Sequence, residues 1–304
     1  MAFEIIRGMN ASDPKAPKVT LLSDLISDFV ADTEAAAASR KTGIPRGPVT
    51  GLSALDEALG SYLNPGVHTI QAAPGAGKTA FGLQTAARCQ FPALFVTAEM
   101  PVLELFRRLV SRETGTFLGK LKTGELGGQE AMRLALRTAE KAPHLALMDG
   151  TRTHASPGMI RDAAEGLKER IGAAHVLVVI DSLQIWARTG RIGGGDMASE
   201  YDLINGALGA ASGIAADLSC PVLVISHRNR AGNRSDGGLH SAKGSGDVEY
   251  LSETVLDLTR KDEQPDAAGE VEVKLSIHKN RHGIPGVSLP LRFCGRLQEF
   301  REGR

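Results

Sequence analysis

The sequence is poor in aromatic residues and has no net charge. Phe, Trp and Tyr make up 4% of its 304 residues, whereas hydrophobic residues make up 42%, so any core must be mostly aliphatic. The 35 basic residues are balanced by 35 acidic ones. Bulk charge therefore predicts no nucleic-acid partner, and any such site must be a local concentration of basic residues.

Cysteine is also scarce. Cys89, Cys220 and Cys294 lie far apart and form no C-x-x-C pair. We expect small buried hydrophobes in a reducing compartment rather than disulfides or a metal site. The sequence also lacks a signal-peptide pattern at its N-terminus and an apolar run of membrane-spanning length. These absences predict a soluble, cytoplasmic protein with no membrane association.

What the sequence does contain is a phosphate-binding loop, because residues 72–79 fit the pattern [A/G]-x-x-x-x-G-K-[S/T]. Small residues let backbone N–H groups wrap around a polyphosphate, and Gly77 leaves room for the anion. Lys78 would reach the outer phosphates, and the Thr79 hydroxyl would ligate Mg²⁺. The residues predicted to contact the nucleotide are Ala73, Pro74, Gly75, Ala76, Gly77, Lys78, Thr79 and Ala80.

The surrounding pattern predicts an α/β fold with a mostly parallel central sheet and helices on both faces. An apolar run precedes the loop, and apolar residues at helical spacing follow it. Further predicted strands are 93–97, 145–148, 176–180 and 222–225, and they alternate with predicted helices 102–110, 159–167 and 203–218. Three later runs, 255–258, 271–277 and 287–291, have no helices between them and predict a C-terminal antiparallel extension.

The first 42 residues differ from the rest and are predicted to form a separate segment. An N-terminal arm without a clear period leads to an apolar stripe from Leu21 to Val30 at helical spacing. Thr20 could cap this helix and Gly43 could end it. The apolar stripe could pack on its own domain or dock on a neighbouring subunit, and the pattern alone slightly favours the first.

Three polar residues follow predicted strands, where side chains meet at one edge of a parallel sheet. Asp181 is a candidate Mg²⁺ partner or a turn cap. Glu99 could activate the water that attacks a γ-phosphate, or it could be a glutamate favoured at a helix start. His227 could sense the γ-phosphate or could be structural.

Basic residues are concentrated in three places. Two are glycine-rich stretches, 188–199 and 228–247, which could bind a nucleic-acid backbone or could be surface loops without a ligand. The third is His278 to Gly283, where nothing nearby in sequence neutralises the charge. In a ring or filament, Arg281 could reach the next subunit's γ-phosphate as an arginine finger; alternatively, the cluster is a solvated hairpin tip.

Together these motifs resemble the RecA-like motor domain of the DnaB family of replicative ring helicases, over roughly residues 43–300. The motifs stand in family order: Thr42-Gly43-Ile44-Pro45, Gly51-Leu52, Leu55-Asp56, the loop 72–81, Ala98-Glu99-Met100-Pro101, Ile180-Asp181-Ser182-Leu183-Gln184, Ser226-His227-Arg228-Asn229-Arg230, Gly244-Ser245-Gly246-Asp247-Val248-Glu249 and Lys279-Asn280-Arg281-His282-Gly283.

The resemblance implies a RecA-like P-loop NTPase domain over residues 43–304, an ATP and Mg²⁺ site, and a hexameric ring on single-stranded DNA. It implies that Glu99 is the catalytic base and Asp181 the Mg²⁺ partner. Lys279 and Arg281 would act on the neighbouring subunit's ATP. The two glycine-rich stretches would be DNA-contacting loops, and residues 1–42 would include a linker helix that docks on the adjacent subunit.

The sequence also departs from the family. His227 stands where bacterial DnaB has Gln and resembles the phage primase-helicase and Twinkle branch. Ser182 replaces a common Tyr, and Gly244 replaces an acidic residue. We expect no room in these 304 residues for the family's N-terminal helical collar domain. Two functions therefore stay open: a translocating helicase motor, and a RecA-like DNA-binding or oligomeric ATPase without unwinding activity. A third, a scaffold that uses ATP only to hold an oligomer together, is disfavoured by the intact set of candidate residues.

Overall fold

The computed structural model describes residues 19–194, 198–227, 250–261 and 264–303. The chain divides into two units, one ending at Arg46 and one beginning at Gly47; the sequence predicted a boundary after residue 42. The second glycine-rich stretch, 228–247, lies outside the described residues.

The first unit is built around one long helix. A 3₁₀ turn, Leu22–Leu25, leads into α1, Ile26–Thr42. Gly43 ends the helix, as predicted, in the left-handed conformation with φ +72°. The predicted cap by Thr20 is wrong, because Leu21 occupies the N-cap position and its side chain has no acceptor to offer. The apolar stripe is exposed, with 84% of Leu22 and 69% of Phe29 accessible.

The second unit alternates strands and helices. Its helices are α2 (Ser53–Ala58), α3 (Lys78–Arg88), α4 (Val102–Thr114), α5 (Lys120–Thr123), α6 (Gly128–Lys141), α7 (Pro157–Ile171), α8 (Leu183–Gly190) and α9 (Glu200–Leu218). Its strands are β1 (Gly66–Ala72), β2 (Ala93–Thr97), β3 (Leu145–Asp149), β4 (Leu177–Asp181), β5 (Pro221–His227), β6 (Thr254–Arg260), β7 (Glu270–Asn280), β8 (Ser288–Cys294) and β9 (Glu299–Glu302). Within the described ranges no helix is long and apolar enough to cross a membrane.

The strands form one sheet in the order β3-β2-β4-β5-β1-β6-β7-β8-β9. The first six in this order pair in parallel, and β7, β8 and β9 continue the sheet antiparallel. This confirms the predicted fold class. Since parallel strands end at the same edge, the sheet brings the ends of β1, β2, β4 and β5 together.

Each face of the sheet has its own apolar cluster. One contains α3 and residues such as Ile70 and Phe95 and extends to β9. The other contains Trp186 and α9 and packs on the parallel strands. The three cysteines are free and buried, as predicted, and burial raises the pKa of the Cys89 thiol to about 11, so that thiol is unreactive at neutral pH.

Several elements are longer than predicted, and this matters for the site. Asp181, His227 and Asn280 are the last residues of their strands rather than residues beyond them. Helices α2, α5, α6 and α8 and strand β9 were not predicted from the sequence.

Candidate active site

The loop between β1 and α3 is shaped by two glycines with positive φ, Gly75 at +80° and Gly77 at +94°. A side chain at either position would be strained. At Gly77 it would also clash, since a Cβ there would lie 2.8 Å from the Phe300 ring. The loop therefore needs glycine at Gly77 for both its backbone conformation and its packing.

Lys78, the first residue of α3, lies over this loop. Its side chain is buried, and Nζ donates hydrogen bonds to the carbonyls of Ala72 (2.9 Å) and Ala73 (3.1 Å). The N-terminus of α3 adds its partial positive charge and its unpaired N–H groups at the same place. A cation, a glycine cradle and a helix N-terminus thus converge, which fits a polyphosphate.

Strand β9 holds the loop helix in position. Gln84 on α3 donates to the Phe300 carbonyl (2.9 Å) and accepts from the Phe300 N–H (2.8 Å). The Phe300 ring stacks on Phe293 with centroids 4.5 Å apart and meets Phe81 edge-on at 5.6 Å. This buried clamp joins α3 to the C-terminal strands and fixes the distance from the loop to the sheet.

The strand register aligns the other candidate residues with the loop. Thr97 pairs with Asp181 across β2 and β4, and Ala72 pairs with His227 across β1 and β5. Glu99 follows β2 directly, in a turn closed by hydrogen bonds of 2.7 and 3.0 Å between the Thr97 hydroxyl and Met100. The structure therefore brings Lys78, Asp181, Glu99 and His227 to one edge of the sheet.

Asp181 is a buried carboxylate beside the loop. Burial raises its pKa to about 6, and the nearby Glu99 charge adds to the rise, while a hydrogen bond from the Thr79 hydroxyl opposes it. Its Oδ2 has no hydrogen-bond partner among the residues described. Mg²⁺ in nucleotide sites uses one or two protein oxygens and completes its shell with phosphates and water, so the Thr79–Asp181 pair fits a Mg²⁺–nucleotide complex.

In the protein without nucleotide, the buried carboxylate of Asp181 should lower the free energy of unfolding. Moving its pKa from 3.8 to about 6 corresponds to about 3 kcal/mol. Because the folded pKa is the higher one, the cost is absent below about pH 4 and complete above about pH 6. Without nucleotide, Asp181→Asn should therefore raise the free energy of unfolding at pH 8, by up to about 3 kcal/mol, and much less at pH 4. Urea titrations at both pH values measure this; an equal difference at the two would contradict it.

Glu99 and His227 lie next to each other at the solvent-exposed end of the site. The distance between His227 Nε2 and Glu99 Oε2 is 3.6 Å. Gln184 at the start of α8 fixes the end of β5, since its Oε1 accepts from the His227 N–H (3.2 Å) and its Nε2 donates to the Ser226 hydroxyl (2.8 Å). A carboxylate and an imidazole are thus held where the loop, β4 and β5 meet.

Arg108 on α4 also lies near Asp181, although sequence reasoning assigned it no role. Burial lowers the pKa of its guanidinium, while the charges of Glu104 and Asp181 raise it. Its Nη1 donates to Gln298 in the β8–β9 turn. In the sequence, Arg108 stands one helical turn beyond Glu104, which is only a weak indication of a functional role. Its charge comes close to Asp181 only in the folded protein.

Lys279 and Arg281 lie at the opposite edge of the sheet, where the parallel strand β1 begins. Asn280 at the end of β7 pairs with Thr254, which pairs with His68 near the start of β1. The stretch from His68 to Ala72 spans about 13 Å, and the phosphate loop begins only beyond it. The two cations therefore cannot reach the phosphate loop of their own chain.

The basic cluster at this edge has an acidic partner that is distant in sequence. Glu253 Oε1 accepts from Arg281 Nη1 and Oε2 lies at His282 Nε2, both at 2.9 Å. The carbonyl of Tyr250 accepts from Lys279 Nζ and Arg281 Nη2, both at 3.1 Å. The cluster therefore has a counter-charge that is distant in sequence, and the choice between an arginine finger and a solvated hairpin tip stays a prediction.

The predicted DNA-contacting stretches are only partly described. Arg188, in the last turn of α8, forms an ion pair with Glu200, the first residue of α9. Arg191 follows α8 with φ +45°. The predicted basic residues of the second stretch, Arg228, Arg230, Arg234 and Lys243, lie outside the described residues.

Comparisons with known proteins match this architecture. The family model for the DnaB-like helicase C terminal domain matches residues 47–302. The replicative DNA helicase DnaB of Treponema pallidum is 26% identical over 299 residues, which cover 92% of this chain and 61% of that protein. A probable plasmid replicative DNA helicase of Chlamydia psittaci is 27% identical over 242 residues, covering 77% and 51%. The chain thus spans about three fifths of the first of these relatives and half of the second.

Two solved structures share the fold. One is an ATPase domain, which superposes with a TM-score of 0.76 at 22% identity, covering 92% of this chain and 99% of that one. The other is a DnaB-like replicative helicase, studied with its primase interactions, which superposes with a TM-score of 0.74 at 22% identity, covering 100% and 71%.

Proposed function

The chain belongs to the DnaB-like helicase C-terminal domain family, and we propose that it is an ATP-hydrolysing ring motor that translocates on single-stranded DNA. The observation that carries the proposal is that the sheet places at two opposite edges the groups that one hydrolysis site would combine. The phosphate loop, Asp181 and Glu99 lie at one edge, and Arg281 lies at the other. A complete site then needs two copies of the chain in a head-to-tail contact, which a ring repeats and closes.

In the proposed site each residue has one task. The loop amides and Lys78 hold the phosphates, and Thr79 and Asp181 would hold Mg²⁺, which neutralises charge developing on the phosphates when it is bound. Glu99 accepts the proton of the attacking water. His227, beside Glu99, detects whether the γ-phosphate is present. Arg281 and Lys279 of the neighbouring copy stabilise the transition state.

The exposed stripe of the first unit supports assembly. Leu22, Ile26 and Phe29 expose 84%, 62% and 69% of their surface, and contiguous exposed apolar surface marks interaction sites. We propose that this stripe docks on the neighbouring copy as a linker helix, in preference to the packing within one copy that the pattern alone favoured. The proposed number of six copies to a ring comes from the family.

The direct test is steady-state ATP hydrolysis with and without single-stranded DNA. We expect DNA to stimulate the wild-type rate several-fold or more, because DNA held in the channel of a ring would favour the assembled site. Lys78→Ala provides the blank, since it removes the cation on the outer phosphates without touching the predicted DNA-binding residues. Mg²⁺ should be required, and EDTA should abolish the rate.

A hydrolysis rate that does not respond to DNA would contradict the motor function. Stimulated hydrolysis without unwinding of a forked duplex would instead favour the alternative, a RecA-like DNA-binding or oligomeric ATPase that does not unwind.

A further inference from the structure

Glu253 is held rigidly at the edge of the sheet where Arg281 lies. Its N–H donates to the Val67 carbonyl (2.6 Å), which fixes its backbone to β1. Its side chain is only 18% exposed and packs on Gly66, where a Cβ would come within 2.4 Å of Glu253 Cγ. The carboxylate therefore has a defined position.

That carboxylate and the nearby backbone fix the orientation of Arg281 from three sides. Oε1 accepts from Nη1 (2.9 Å), the Tyr250 carbonyl accepts from Nη2 (3.1 Å), and the Glu253 carbonyl accepts from the Arg281 backbone N–H (3.0 Å). The other carboxylate oxygen is held by His282. Half of the Arg281 side chain nevertheless remains exposed, so the guanidinium is aligned on one side and open on the other.

The hairpin that carries Arg281 is anchored as well. Asn280 Nδ2 donates to the Ala58 carbonyl (2.8 Å), and its Oδ1 accepts from the His282 N–H (3.0 Å). The backbone is therefore fixed by Asn280 and the Glu253 carbonyl, whereas the guanidinium is fixed by the Glu253 carboxylate and the Tyr250 carbonyl.

We infer that Glu253 is a positioning residue for hydrolysis on the neighbouring copy: it aims the Arg281 guanidinium outward at that copy's phosphates. The inference rests on the proposed trans role of Arg281. An exposed arginine samples many rotamers, and an ion pair with a mostly buried carboxylate removes most of them before the neighbour's nucleotide arrives. Displacing such a group by about 1 Å can cost up to about a hundredfold in rate.

Glu253→Ala should therefore lower kcat about tenfold or more. KM and nucleotide binding should stay near wild type, because Lys78 and Asp181 lie at the other edge of the sheet. Glu253→Gln keeps an oxygen acceptor for Nη1 and should stay within about threefold of wild type. Glu270→Ala is the matched control: Glu270 is equally exposed at 18% and also has two cationic partners, Arg292 and Arg301, and its removal should leave kcat unchanged.

Mixed assemblies separate positioning from general damage to the fold. Glu253→Ala subunits are mixed with Lys78→Ala subunits before assembly, and ATP hydrolysis is measured across the mixing ratio. At some junctions an intact loop then meets an intact Arg281–Glu253 pair, so the rate should exceed the weighted average of the two parents. Arg281→Ala with Lys78→Ala is the reference mixture.

The outcomes are distinguishable. If neither mixture rises above the average, the trans site itself is wrong, and the proposed function fails with it. If the Arg281→Ala mixture rises but Glu253→Ala alone is fully active, or its mixture does not rise, only the positioning role of Glu253 is overturned.

Discussion

Replacing Glu99 with glutamine is expected to lower kcat for ATP hydrolysis by about 10²- to 10⁴-fold, the range of a positioned general base. Glu99 follows β2 at the edge where Asp181 ends β4. Its side chain is 47% exposed, and its Oε2 lies 3.6 Å from His227 Nε2, so it can reach a water molecule and an incoming phosphate. Glutamine preserves shape and hydrogen bonding but cannot accept a proton.

The substitution should leave Mg²⁺–ATP binding intact, because the loop and Lys78 are untouched. Single-turnover hydrolysis and equilibrium binding of a fluorescent ATP analogue measure the two properties separately. Glu272→Gln is a matched control, since Glu272 is 45% exposed, pairs with Lys261 on the antiparallel extension and should be neutral. Loss of binding together with kcat would show that Glu99 contributes to the fold of the site rather than to proton transfer.

The contact of Glu99 with His227 bears on how this variant is interpreted. With glutamine at position 99 the imidazole keeps a neighbour, and Gln184 holds the His227 backbone N–H independently. The position of His227 should therefore survive, so any change in DNA-stimulated rate can be assigned to Glu99 itself.

The sequence was sufficient to predict that Glu99, Asp181 and His227 lie at the edge of the sheet where the loop lies. Each of these residues follows an apolar run that forms a parallel strand. Because parallel strands end at the same edge of a sheet, residues that follow these runs meet there, as the Thr97–Asp181 and Ala72–His227 pairs show. The predicted strands ended one or two residues early. Asp181 and His227 are polar, so an apolar pattern could not include them in the strands that they end.

The contacts that could not be predicted from the sequence join residues that are far apart in the chain. Gln84 binds the backbone of Phe300 in a four-residue strand with little apolar signal. Arg108 approaches Asp181 because apolar residues of α4 pack in the same cluster as those of α3 and β4. Glu253 neutralises a charge 28 residues later in the chain, because β6 and β7 pair antiparallel. Each contact depends on tertiary pairing that no local pattern encodes.

The two edges of the sheet make assembly a requirement of the proposed mechanism. Antiparallel pairing of β7 with β6 carries Arg281 away from the loop, and the ion pair with Glu253 keeps it there. Any stimulation by Arg281 must come from another copy, so activity should depend on assembly.

Arg281→Ala is therefore expected to lower kcat by about 10³-fold, the lower range for an arginine finger, with ATP affinity nearly unchanged. Arg281→Lys should recover only part of the loss, because an ammonium lacks the planar fork that binds both Glu253 and a phosphate. Gel filtration with nucleotide should show normal assembly of both variants, which separates a lost catalytic group from a lost interface.

Protein concentration supplies the decisive measurement for Arg281. The wild-type rate per subunit should rise steeply with concentration as neighbours meet and then reach a plateau. Arg281→Ala should stay flat near the dilute wild-type rate over the same range, because assembly brings its loop no cation. A wild-type rate per subunit that is constant down to concentrations at which sedimentation shows monomers would contradict a site shared between two copies, and Arg281 would then have only its structural bond to Glu253.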